Sequence, residues 1–129
     1  MILDSTFLVD LERERRRGEV GAAVHFLRQH ADVAFAITFT IAGELAAGQS
    51  LGIDRDKWER FIRPFRLYDF SSDVAWMFGH SFRQLQGDGL MIGADDLWIA
   101  STALANGVAV VTRNHREFSR VSDLRVISY

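Results

Sequence analysis

The chain has 129 residues, of which 48% are hydrophobic and 25% charged, and its formal net charge is −2. That length suits a single domain over residues 1–129 with a core of its own, and the composition excludes a disordered chain. The absence of cysteine excludes a disulfide framework and a thiolate metal site, and the slightly acidic balance means that nucleic acid can be held only through a local basic patch or metal ions.

The chain opens MILDSTFLVDL. This start lacks a basic n-region and carries Asp4 and Asp10, which argues against a secretion signal. No apolar run approaches the roughly 18 residues that span a bilayer. The expectation is a cytoplasmic protein with no membrane contact. Met1 to Asp4 reads as a central buried strand with Asp4 at its carboxyl tip. Ser5 or Thr6 can cap the following helix, which runs through Phe7, Leu8 and Leu11. Residues 12–17, ERERRR, read as a solvated helix end and loop, with a phosphate or partner contact as the sharper alternative.

After the break at Gly18, Val20, Ala23, Val24 and Leu27 recur at helical spacing and predict a second helix over Glu19 to His30. Asp32 to Ile37 reads as the second strand. A hydroxyl in Thr38-Phe39-Thr40 can cap a third helix, packed through Ile41, Ala42 and Leu45 and weakened at Gly48. Glu44 lies about one turn into it. Helical side chains lean toward the N-terminus, so Glu44 can point back at the strand tips. Asp54 to Ile62 predicts a further helix, stopped by Pro64. Phe65 to Phe70 predicts an edge strand, and Ser71-Ser72-Asp73 caps a long helix that ends at Gly87-Asp88-Gly89.

The stretch from Ile92 to Asn114 is the most informative. Gly93 makes a turn, Asp95 and Asp96 stand at a helix N-terminus, and Leu97 to Ala105 is nearly all apolar. Asn106-Gly107 stops the helix. Val108 to Val111 predicts a buried strand, with Thr112, Arg113 and Asn114 at its tip. Arg116-Glu117-Phe118 reads as a short turn and Leu124 to Ile127 as the last strand. Strands alternate with helices throughout, so the expected fold is α/β with a mostly parallel sheet.

Three acids share one edge in this reading. Asp4 ends the first strand, Glu44 lies early in the helix after the second, and Asp96 starts the helix before the fourth. In open α/β sheets, ligands bind outside the carboxyl ends of the strands. Three gathered carboxylates raise one another's pKa. A hard divalent cation relieves this, and Mg²⁺ takes oxygen ligands at roughly 2.0–2.1 Å. Singly, each acid has a plainer reading as a helix cap or surface residue. Together they point to a metal-dependent phosphate chemistry.

ILDSTFLVDL, the Thr40 to Leu45 segment with its Glu-Leu pair, IGADDLWIASTAL, and VVTRN-HREF followed by RVSDLRVI resemble the PIN-domain ribonucleases. In particular they resemble the VapC toxins of toxin–antitoxin pairs. The resemblance covers essentially the whole chain. It implies a three-layer α/β/α fold with a five-stranded sheet ordered 3-2-1-4-5. It implies Mg²⁺- or Mn²⁺-dependent endoribonuclease activity on an RNA such as tRNA or rRNA, inhibition by a VapB-type antitoxin, and a homodimer. Asp4, Glu44 and Asp96 take the positions of the family's metal-holding acids. Asn114 takes a fourth catalytic position that is often acidic, with Glu117 three residues on able to compensate. Asp95 becomes a neighbour that tunes the site. Ser5 and Thr6 fall on hydroxyl positions that orient Asp4 or a water. The implied reaction is in-line attack of a metal-activated water on phosphorus, with departure of the 3′ oxygen.

Other features have bland readings. His25, His30, His80 and His115 lack zinc-ligand spacing. Trp58, Trp76, Trp98 and the phenylalanines read as core or dimer packing rather than base-stacking platforms. Arg113 reads either as a phosphate contact or as a solvated strand end. Apolar residues on the helices at 5–11 and 41–51 either form a groove for an antitoxin helix or belong to the core. An Mg²⁺-binding phosphoacceptor domain needs a lysine near a late strand tip, and the only lysine is Lys57. A hydrolase working through an aspartyl phosphate needs an acid where Thr6 stands. A PIN-fold nuclease of RNA processing, acting without an antitoxin, shares every feature above.

Overall fold

The computed structural model describes residues 1–129. In chain order the elements are β1 (Ile2–Leu3), α1 (Ser5–Arg17), α2 (Ala22–Gln29), β2 (Ala36–Thr38), α3 (Phe39–Ala47), α4 (Arg55–Ile62), β3 (Arg66–Tyr68), α5 (Ser72–Asp88), α6 (Ala94–Ala105), β4 (Val110–Val111), α7 (His115–Phe118) and β5 (Val126–Ile127). The five strands form one sheet in the order β3-β2-β1-β4-β5, and every pairing is parallel. Helices cover both faces, which makes a three-layer α/β/α architecture. No helix is long and apolar enough to cross a membrane.

The expected elements all form, but the strands are shorter than their apolar runs. Ladder pairing, not hydrophobicity, ends them. Ile2 and Asp4 donate to Ala109 and Val111 carbonyls at 2.8 and 3.0 Å, and Ala36 donates to Met1 O at 2.8 Å. β1 is central and its residues Ile2 and Leu3 are fully buried. They join Phe7, Leu8, Leu11, Ile37, Ile41, Ile99, Val110 and Val111 in one core. The apolar residues of the 5–11 and 41–51 helices therefore belong mostly to the core, and Val9 alone among the large ones in the first of these stays half exposed.

Two local expectations change. Asp4 itself, not Ser5 or Thr6, is the N-cap of α1, because its side chain accepts from Ser5 N. The charge run 12–17 is helical to its end and not a loop, since α1 continues to Arg17 before Gly18 closes it with φ 67°. Within the run Glu14 is buried. Its carboxylate accepts from Ala23 N at 3.2 Å and Val24 N at 2.9 Å, so it caps α2, whose own N-cap residue Gly21 offers no side chain. A Cβ at Gly21 would lie 2.3 Å from Glu14 Oε1, so a side chain there would displace the capping carboxylate.

The aromatic residues divide three ways. Trp58 donates to Ala42 O at 3.0 Å, and Trp98 stacks on Phe78 at 3.9 Å between centroids. Trp76 departs from the expected packing role within the chain, being 70% exposed on α5.

Candidate active site

The strand order reverses beside β1: the chain first winds outward to β2 and β3, then crosses to β4 on the other side. The crevice above the carboxyl ends of β1 and β4 is therefore the place where an α/β sheet leaves room for a ligand. Asp4 follows β1 there, and Thr112, Arg113 and Asn114 follow β4. Thr38 at the end of β2 caps α3 by accepting from Ile41 N at 3.2 Å, which sets Glu44 in the second turn, facing the same crevice. Gly93 opens α6 and places Asp95 and Asp96 in its first turn, where the helix dipole favours negative charge.

Asp4 is almost fully buried and held on both oxygens. Its Oδ1 accepts from Ser5 N at 2.7 Å and more weakly from Ser5 Oγ at 3.4 Å. Its Oδ2 accepts from Thr6 Oγ1 at 3.0 Å and Thr112 Oγ1 at 2.8 Å. Thr112 Oγ1 also accepts from Asn114 N at 2.9 Å, and Asn114 Nδ2 donates to Asp96 Oδ2 at 3.3 Å. A continuous polar chain thus joins Asp4 to Asp96 through the tip of β4.

Burial pushes the Asp96 carboxyl up to about 6, and the charges of Asp4, Glu44, Glu117 and Asp95 push in the same direction. Burial likewise raises Glu44, opposed by a hydrogen bond from Ser5 and reinforced by Asp4 and Asp95. Both shifts have the sign expected of carboxylates crowded in a poorly solvated place. Glu44 Oε2 is buried without a hydrogen-bond partner. A bound cation is one of the usual partners of such an oxygen.

The structure brings Asp4, Glu44, Asp96 and Asn114 together, with Asp95 and Glu117 as charged neighbours. No three acidic or histidine side chains lie at the mutual spacing of a ready-made metal cage. What the chain presents is a set of repelling oxygen donors with one unpartnered oxygen. That donor set fits a hard divalent cation, which takes oxygen ligands and keeps several waters.

Arg113 is exposed at the tip of β4, 54% of its side chain being open to solvent, but it is anchored there. It pairs with Asp10 Oδ2 at 2.9 Å and lies over the Tyr129 ring at 5.3 Å. Asp10 is 4% exposed and also holds Arg13 and the Tyr129 hydroxyl, the latter at 2.7 Å. Ser5, Thr6, Val9, Asp10 and Arg113 line a shallow pocket of about 350 Å³ at the mouth of the site. The roles of Thr112 and Asp10 are not visible in the sequence. Thr112 was one more hydroxyl at a strand end, and Asp10 one more acid on a helix. Their partners lie 108 and 119 residues away, so only the fold reveals them.

The sheet order and the acid cluster at its switch point define the class: an α/β fold built to gather carboxylates above the carboxyl edge of its strands. A family model described as "PIN domain" matches residues 1–124. Ribonuclease VapC2 of Rickettsia felis is 33% identical over 93 residues, covering 69% of each chain. Ribonuclease VapC1 of Methanocaldococcus jannaschii is 25% identical over all 129 residues and 86% of its own length. Among solved structures, VapBC2 from Rickettsia felis bound to a promoter DNA fragment superposes with a TM-score of 0.85 at 25% identity, covering 99% of this chain and 97% of that one. The chain belongs to the PIN-domain family, and within it to the VapC group.

Proposed function

We propose that the protein is a metal-dependent endoribonuclease, the toxin of a type II toxin–antitoxin pair, hydrolysing a phosphodiester of RNA such as tRNA or rRNA. The observation that carries this reading is the cluster of Asp4, Glu44 and Asp96, with its orphaned Glu44 oxygen and its elevated Asp96 carboxyl. The relatives are ribonucleases by name, and the similar Rickettsia felis structure is that of VapBC2. A VapB-type antitoxin is accordingly the inhibitor this reading assigns.

Asp4, Glu44 and Asp96 would hold Mg²⁺ or Mn²⁺. When bound, such an ion neutralises phosphate charge, lowers the pKa of water and stabilises a leaving oxygen. The protein's own groups do the positioning. Thr6 and Thr112 fix Asp4 so that its two oxygens keep one orientation. Asn114 directs Asp96 by donating to Oδ2, a job its amide performs without adding a fourth negative charge. Arg113, steadied by Asp10, stands at the pocket mouth where it can meet a substrate phosphate. No side chain is needed as a nucleophile.

The same reading carries a homodimer. Phe70 at 55% and Trp76 at 70% exposure supply apolar surface of the kind a second copy covers. Trp76→Ser should lower the apparent mass in sedimentation if that face is used; an unchanged mass would place the dimer contact elsewhere.

The deciding experiment is cleavage of total tRNA by purified protein with Mg²⁺ or Mn²⁺, with EDTA, and with Asp96→Asn. Metal-dependent cutting that disappears in Asp96→Asn is expected. Cutting that survives EDTA or the substitution would overturn the assignment.

A further inference from the structure

The basic run on α1 is left unused by the chemistry above. Arg15 and Arg16 from α1 meet Lys57 and Arg60 from α4 around a pocket of about 430 Å³ floored by Leu51 and Phe61. Glu12 is the one acid in its lining. That acid organises the pocket more than it neutralises it. Glu12 Oε1 accepts from Ser50 Oγ at 2.7 Å and stands 3.8 Å from Lys57 and 3.5 Å from Arg16. Lys57 Nζ is further fixed by donating to Ser50 O at 2.9 Å. Four cations against one carboxylate make a local positive site on a chain whose net charge is −2.

The pocket is not isolated from the acid cluster. Glu12 and Leu51 line both it and an adjoining cleft, and Glu44 lines the far side of that cleft. Along α1, Arg15 lies ten residues from Ser5, on the order of 15 Å at 1.5 Å per residue. The groove thus has an oxygen-rich end and a cationic end, separated by the length of a few nucleotides.

We propose that this cationic pocket binds a backbone phosphate of the RNA substrate, a few nucleotides from the bond to be cut. The inference rests on the nuclease reading above. Charge complementarity favours a nucleic-acid strand over an acidic peptide. A peptide carboxylate can satisfy the cations, but its continuation meets Glu44 and the other acids. An RNA strand presents the same phosphate at both ends, and the acid end receives it through a divalent cation. Phosphate contacts of this kind set register and carry no base preference.

The test uses tRNA binding in the Asp96→Asn background with Mg²⁺ present, measured across a salt series. The Arg15→Gln/Arg60→Gln double substitution is compared with Arg28→Gln/Arg83→Gln, which removes equal charge from exposed positions outside the pocket. Backbone contact is sequence-independent, so tRNA is a valid probe whatever the natural target. Losing the pocket should weaken binding on the order of tenfold and flatten the salt slope by about 0.7–0.9 per lost phosphate contact. In the otherwise wild-type chain it should raise KM for RNA with kcat little changed. If both double substitutions weaken binding alike, or neither does, the pocket is not a phosphate site and the proposal fails while the nuclease reading stands. Unchanged RNA binding with lost binding to polyglutamate would assign the pocket to an acidic protein partner, and also overturn it. If the parent chain neither cuts nor binds RNA, both readings fall.

Discussion

At the scale of single residues, the site is governed by how unevenly its acids find hydrogen bonds. Asp4 is saturated by donors, whereas Glu44 Oε2 has none. Thr112→Val removes a buried donor to Asp4 and should cost about 1–2 kcal/mol in urea denaturation. RNA cleavage should fall roughly tenfold or more, since loosely held catalytic groups lose effective positioning. Full activity in that variant would show that Thr112 only fills space. Asp96 gives a second test through pH. Its folded carboxyl is raised to about 6 from the usual 3.8, so the folded chain binds this proton more tightly than the unfolded chain. The resulting stabilisation is complete below 3.8 and lost as pH rises through about 6. Above pH 7 the ionised Asp96 works against the metal-free fold. Asp96→Asn should therefore stabilise the EDTA-treated protein at pH 7.5 by about 1 kcal/mol, after discounting a half-exposed group for solvent screening. The gain should vanish near pH 4. Destabilisation at pH 7.5 would mean that the Asp96 charge is satisfied without an ion. Added Mg²⁺ should raise the parent's melting temperature and leave that of Asp96→Asn nearly unmoved.

At the scale of elements, caps decide where helices start, and several caps are the site. Asp4, Thr38 and Gly93 each begin a helix and so aim Ser5, Glu44 and Asp96 at one crevice. The starts at Thr38 and Gly93 were legible in the sequence, because caps and apolar periodicity are local signals; that Asp4 itself caps α1 was not, since the hydroxyls of Ser5 and Thr6 offer the same local signal. The capping of α2 by Glu14 was not, since its carboxylate reaches over nine and ten residues from inside a basic run. Asp10 with Arg113 and Tyr129 was hidden for the same reason, on a longer span. Glu14→Ala should cost about 1–2 kcal/mol by orphaning the first amides of α2. Gly21→Ala should destabilise the chain through the clash with Glu14, and Glu14→Ala in the same chain should relieve that clash. Additive losses in the double variant would show that the two residues do not meet.

At the scale of the whole molecule, strands of two and three residues make a sheet that depends on its surroundings. β1, paired on both sides and buried, should show the slowest amide exchange at Ile2 and Asp4, and β5 at the edge faster exchange. Equal protection across the sheet would contradict that ranking. The sheet order has one more consequence, which concerns time. β1 is the first strand made, yet one of its two partners is β4 and the Asp4 carboxylate waits for the hydroxyl of Thr112, 108 residues later. During synthesis the early helices and β2 can collapse around β1, but the crevice stays open on one side. A ribosome-bound chain released before residue 112 lacks both the strand that closes the site and the threonine that orients its first acid. Whatever harm the finished protein can do, its unfinished copies should be unable to do.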